Sequence, residues 1–158
     1  LRREMTEKRF SLIRCLRALS SAAFMEFEFT KRECNFGIVF SPTLPIMFNG
    51  FSVGHALIDT GADMTLLPLE VNKILGLELD TEHAIDIASA GGGKFKAIPG
   101  KQKVEYTIEH SGFQPIQWKG IVYFAPRQPM ILLGQHQCLS ELNITLDGPR
   151  RKIRVSSK

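Results

Sequence analysis

The sequence predicts a mainly β domain, a closed or orthogonally packed barrel carrying one or two short helices. Three observations point there. Short apolar or alternating runs of strand length recur along the chain, among them Phe36-Gly37-Ile38-Val39-Phe40, Lys103 to Glu109 and Ile131-Leu132-Leu133. Turn signals separate them: Asn49-Gly50, Gly91-Gly92-Gly93, Ser111-Gly112 and Asp147-Gly148-Pro149-Arg150. Only Pro68–Leu75 and Gln135–Leu142 read as helices, both short. Many brief strands with little helix between them are the pattern of a β-barrel.

Taken in order, residues 1–24 stand apart as an N-terminal extension. Leu12, Cys15, Leu16 and Leu19 recur at helical spacing, with Arg14 and Arg17 between them. Those arginines interrupt the apolar heart of a signal peptide, and Glu4 and Glu7 are foreign to a transit peptide, so only weak features of a targeting segment remain. The folded domain is expected over residues 25–158. Ser41 to Pro45 breaks the first strand. Ile46-Met47-Phe48 and Phe51-Ser52-Val53 then flank Asn49-Gly50, the strongest hairpin signal in the chain, because Asn-Gly supplies both positive-φ positions of a type I′ turn. Thr65-Leu66-Leu67 is a short strand. Pro68 suits the first turn of the helix that follows, and Gly76 its stop. Ala84 to Ile87 and Lys94 to Ile98 alternate on either side of the glycine run as a hairpin with a mobile tip. Ile116 to Phe124 is expected to form a further strand pair, with Trp118, Tyr123 and Phe124 in the core. Ile144-Thr145-Leu146 and Ile153-Arg154-Val155 close the chain as a final hairpin.

Bulk properties exclude several function classes. The chain of 158 residues is one domain by size and long enough to bury a core. Its net charge of +4 is mild, and much of the excess lies at the two ends, where solvated basic runs are the ordinary reading. No aromatic-rich basic motif accompanies them, so nucleic acid is not the expected partner. Cys15, Cys34 and Cys138 are odd in number and far apart, which favours a reducing, cytoplasmic setting over a disulfide framework. The four histidines form neither an i,i+4 pair nor a Cys/His cluster, and no metal or other cofactor is expected. No apolar run reaches the length of a membrane span.

Chemistry concentrates in Ala56-Leu57-Ile58-Asp59-Thr60-Gly61-Ala62-Asp63. An apolar strand runs straight into a carboxylate, and the chain turns on Thr60-Gly61 before the next apolar run. Asp and Gly are poor strand residues, so the segment is expected as a tight loop at strand ends, with Asp59 held at the floor of a cleft.

This segment resembles the active-site loop of the retropepsins, the single-domain aspartic proteases of retroviruses and their cellular relatives. Ile131-Leu132-Leu133-Gly134 is similar to the pattern that lies beneath that loop, and Ala88 to Phe95 to the family's glycine-rich flap tip. The three features occur in the family's order and together span about 36–155. The resemblance implies Asp59 as the catalytic aspartate and Thr60 as the residue whose hydroxyl bonds across a dimer axis. It implies Gly61 as the point of close substrate approach, Ala62 and Asp63 in the substrate cleft, and Gly91, Gly92 and Gly93 covering bound peptide. Carboxylate-driven peptide hydrolysis needs two acids, one ionised to take a proton from water and one protonated to polarise the carbonyl. Only one Asp-Thr-Gly is present; Asp80-Thr81-Glu82 lacks the glycine. A twofold homodimer supplies the second Asp59 most simply. One departure stands out: Gln135-His136 follow Gly134 where the viral enzymes carry Arg-Asn, which removes a cationic partner from Asp63.

The expected function is therefore a homodimeric aspartic endopeptidase acting on peptide or protein substrates. Two alternatives remain open: a non-catalytic dimerisation or peptide-binding module retaining the fold, and a nucleic-acid-associated barrel using the basic ends.

Overall fold

The computed structural model describes residues 24–89 and 92–158. The expected extension and its helical period, together with Gly91, lie outside them. The described chain is mainly β, with fourteen strands and one four-residue α-helix. The first strands are β1 (Met25–Glu28), β2 (Thr30–Cys34), β3 (Gly37–Ser41), β4 (Thr43–Phe48), β5 (Phe51–Ile58) and β6 (Leu66–Pro68). A 3₁₀ turn at Leu69–Val71 leads into α1 (Asn72–Leu75), which Gly76 ends in the left-handed conformation at φ 62°. Then come β7 (Ile85–Ala88), β8 (Lys94–Pro99), β9 (Val104–Ile108), β10 (Ile116–Gly120) and β11 (Tyr123–Ala125). The chain ends with β12 (Ile131–Leu133), β13 (Leu142–Asp147) and β14 (Lys152–Ser157).

Nine strands form one mixed sheet in the order β10-β9-β4-β5-β12-β6-β11-β8-β7. The β4–β5 hairpin turns on Asn49 at φ 49° and Gly50 at φ 79°, the two left-handed positions that its sequence supplies. Pro45 falls inside β4 rather than breaking the chain before it. It has no N–H to give the ladder, and the register with β5 shifts between Pro45 and Met47. At the centre, β12 runs parallel to β5, pairing Ile131 with Ala56 and Leu133 with Ile58, and antiparallel to β6 through Leu132 and Leu66. Period-two alternation sends Ile131 and Leu133 into the core and leaves Leu132 half-buried on the opposite face.

Two of the expected elements form differently. The run from Ile116 to Phe124 does yield two strands, but they do not pair with each other: β10 pairs with β9, and β11 with β6 and β8. Their link, Ile121-Val122, lacks the positive-φ residues of a two-residue hairpin. It is held extended, with Gln137 Oε1 accepting from the Ile121 N–H at 2.9 Å and Tyr106 Oη donating to the Ile121 carbonyl at 3.1 Å. Phe124 is fully buried, whereas Trp118 and Tyr123 are only partly so. The helix expected over Gln135–Leu142 is reduced to one 3₁₀ turn at Leu139–Glu141, because Gln137 at φ 57° and Cys138 at φ -136° leave the helical region while Gln135 and His136 bond across to Ala62 and Asp63.

The core is built on Phe48, Tyr106 and Leu133, with Trp118 stacked on Tyr106 at 4.9 Å and Phe48 edge-on to it at 4.8 Å. A second small cluster, Leu66, Ala97 and Ala125 packed against Ile87 and Phe95, fastens the β7–β8 hairpin to the rest. The β2–β3 hairpin stands outside the core; Phe36 at its turn is 84% exposed.

β1 and β13 flank β14 in a three-stranded antiparallel sheet. Cross-strand pairing sets Glu26 opposite Arg154 and Glu28 opposite Lys152, and both pairs make ion contacts. The Arg154 guanidinium, bonding Glu26 at 3.1 Å, holds that carboxyl below its ordinary value of 4.5 against an opposing push from desolvation. A depressed folded-state pKa gives stability that is present above 4.5 and is lost as pH falls through the lowered value. Glu26→Gln is therefore expected to lower the melting temperature at pH 7 and to converge on wild type only as pH falls from 4.5 through the lowered value. Thermal unfolding across this range checks it; a gap that does not change with pH would contradict the pairing.

Candidate active site

Asp59 follows directly on the last residue of β5, and two backbone bonds and one to its side chain fix its loop. Its N–H donates to the Leu133 carbonyl at 3.1 Å, and its own carbonyl accepts from Ala62 N–H at 3.2 Å. The Gly61 N–H donates to the Asp59 carboxylate Oδ1 at 3.0 Å. This short-range bond orients the carboxyl group, which remains partly exposed. A Cβ added at Gly61 would lie 3.4 Å from that oxygen, so local packing alone leaves room for one.

Beneath the loop, the residues after β12 act as a brace. Gln135 N–H bonds Ala62 O at 2.9 Å, and His136 N–H bonds Asp63 O at 2.8 Å. The Gln135 side chain reaches back, Nε2 donating to the Thr60 carbonyl at 3.1 Å. Such close parallel contact requires Gly134: a Cβ there would meet the Met64 carbonyl carbon and oxygen at 2.3 Å. The brace is supported in turn by Trp118, whose Nε1–H donates to Gln137 O at 3.0 Å. Cys138 is fully buried in this region, and burial pushes its thiol up to about 12, so it remains protonated and is no nucleophile.

Above the loop lies a cleft of about 350 Å³. Asp59, Gly61, Ala62 and Asp63 form one side of it, and Ile87, Ala88, Ser89 and Phe95 of the β7–β8 hairpin another. Leu132 reaches it because strand alternation turns that side chain away from the core. Thr60 is exposed and outside the lining, while Gly92 and Gly93 sit at the hairpin tip, where Ser89 N–H bonds Gly93 O at 2.8 Å. Ser89 and Phe95 lie within the Ala88 to Phe95 stretch and Leu132 within Ile131-Leu132-Leu133-Gly134, on which the resemblance rests, but it implies none of them as a cleft residue, and Gln128 lies in neither stretch. Alternation along the strands gives a signal for Phe95 and Leu132; nothing in the sequence marks Gln128. A second cavity, about 390 Å³, lies between Phe113–Gln117 and the end of β14. It has no ionisable side chain in its wall and so offers no acid–base chemistry. Among the described residues no group of three or more His, Cys, Asp or Glu is placed to hold a metal.

The site is thus a carboxylate on a glycine turn, braced by an apolar strand that glycine follows, and facing a hairpin. The profile of the family described as aspartyl protease matches residues 44–136, more than half of the chain. The chain belongs to the aspartyl protease family. Solved structures share its fold. A retropepsin-like aspartic protease from Rickettsia conorii superposes with a TM-score of 0.54 at 18% identity, covering 82% of this chain and 98% of that one. The retroviral protease-like domain of Ddi1 from Leishmania major gives 0.51 at 14% identity, covering 76% and 95%. At these identities the likeness shows a retropepsin-like fold. Among curated protein sequences none matches the chain.

Gly134→Ala tests the brace. Overpacking against immobile backbone should destabilise the protein by about 1–3 kcal/mol or more. A clear drop in melting temperature is expected; an unchanged one would show that the loop does not depend on this contact.

Proposed function

We propose that the protein is a homodimeric aspartic endopeptidase in which each of two copies supplies one Asp59. The observation that carries this reading is the Asp59 loop itself, a single carboxylate oriented by the Gly61 N–H at the edge of a peptide-sized cleft, in a chain of the aspartyl protease family. Two carboxylates brought about 3 Å apart share one proton, as aspartic proteases exemplify. The ionised partner takes a proton from water while the protonated one polarises the scissile carbonyl.

Thr60 supports the dimer: it is exposed beside the catalytic position, with no side-chain hydrogen bond among the described residues. In this reading residues 25–158 are the protease unit, closing toward the orthogonal barrel of that fold. The β7–β8 hairpin, with Gly92 and Gly93 at its tip, is a flap that closes over extended peptide and excludes water. The apolar walls, Ile87, Phe95 and Leu132, favour cleavage among apolar residues. The free thiols of Cys34 and Cys138 fit a reducing compartment.

Incubation with a peptide library at pH 4–7, alongside Asp59→Asn, tests the proposal. Cleavage by wild type should fall at least about 100-fold in the variant, since the group acts as the general acid–base. Equal turnover by the two proteins, or none by a correctly folded wild type, would overturn it and leave a binding module.

A further inference from the structure

The charge of the cleft has a consequence for the choice of substrate. The protein carries a net charge of +4, yet among the described residues of one copy Asp59 and Asp63 are the only charged ones in the cleft wall. The neighbouring cations are otherwise placed. Lys96 pairs with Asp86 at 3.2 Å, and neither Lys94 nor Arg127 lines the cleft. Gln135, which braces the loop from below, brings no charge, and its amide is committed to the Thr60 carbonyl. The His136 ring stands 2.9 Å from Gln137 Nε2, and only its backbone N–H reaches Asp63, at the carbonyl. No hydrogen bond or ion pair to the Asp63 carboxylate exists among the described residues, and the residue is exposed to the cleft.

A second, separate observation concerns Gln128, another residue of the wall. Its Nε2 donates to the Met130 carbonyl at 2.8 Å, which leaves the amide oxygen to accept. The remaining wall is apolar: Leu66, Ile87, Phe95 and Leu132 among others. A cavity with aliphatic and aromatic sides, a carboxylate and an amide acceptor matches a side chain with an apolar stem and a cationic, donor-only head. Lysine and arginine have that form.

Resting on the endopeptidase reading of the same cleft, we infer that Asp63 is a specificity-determining residue that selects peptides bearing a lysine or arginine near the scissile bond. The stem lies along the apolar wall, and the ammonium or guanidinium donates to Asp63. Apolar residues thus meet the walls at some subsites, and a basic one is required at another.

The test uses the full chain and a set of extended, centrally apolar peptides. At each flanking position in turn they carry Lys, Arg, norleucine or Glu. Norleucine keeps the lysine stem and lacks its amine. Wild type should prefer Lys or Arg over norleucine at one position by about tenfold or more in kcat/KM, in line with a charge-assisted hydrogen bond, and the preference should weaken as salt rises. Asp63→Asn should bring that ratio close to one, and Asp63→Lys should turn the preference toward Glu. A wild-type ratio near one at every position, or a preference that survives both substitutions, would overturn the inference. Binding of the same peptides to Asp59→Asn, with and without Asp63→Asn, separates the two readings. Should wild type cleave nothing, the endopeptidase proposal fails, while the binding ratio still decides whether Asp63 selects a basic side chain.

Discussion

At the end of β12 the backbone of Gly134 lies so close to Met64 that even a methyl group would fall 2.3 Å from the Met64 carbonyl. This contact lets a three-residue strand lie between β5 and β6, parallel to one and antiparallel to the other. From that position its last carbonyl receives the Asp59 N–H, and the residues just beyond it bond the carbonyls of Thr60, Ala62 and Asp63. The geometry of the loop is therefore set from below by backbone. Backbone is stiffer than side chains and cannot relax away from a chemical group that must keep its direction. Packing finishes the work: Leu133 and Tyr106 are fully buried, and Trp118 stacks on Tyr106 while bonding the brace at Gln137.

Much of this was legible in the chain. Asn49-Gly50 announces its turn because only a few residue types accept two successive positive φ values, and the hairpin forms there. Asp59-Thr60-Gly61 announces its loop because neither Asp nor Gly sits well in the strand that precedes it. The pairing of β11 was not legible, since its partners β6 and β8 come from distant points of the sequence. Helical appearance misled at Gln135–Leu142 for a related reason. The local pattern is compatible with a helix, but the contacts of Gln137 with Trp118 and Ile121 accompany a left-handed backbone there, at φ 57°, which no helix admits. Of the cleft, the loop side could be read from the residues themselves. Gln128 could not, because it is brought there by tertiary folding alone.

The cleft joins two kinds of surface that come from different levels of organisation. Its apolar side arises from strand alternation: Leu132 faces away from the core because its neighbours Ile131 and Leu133 face into it. Its polar side arises from a loop that carries Asp59 and Asp63 four residues apart. The β7–β8 hairpin is tied to both through the small cluster of Leu66, Ala97 and Ala125, so that its position over the loop follows from packing while its glycine tip stays outside that packing. In the proposed reading, this division lets the tip move without disturbing the floor.

A single chain contributes one Asp-Thr-Gly loop, and hydrolysis through a shared proton requires two. The proposed enzyme is thus complete only as a pair of copies, and its activity is a property of association. Specific activity as a function of protein concentration, with molecular mass recorded by sedimentation at each dilution, tests this most directly. The account predicts that activity per subunit is constant while the mass is that of a dimer and falls toward zero as the mass approaches that of one chain. Undiminished activity per subunit in a sample that sediments as a monomer would contradict it.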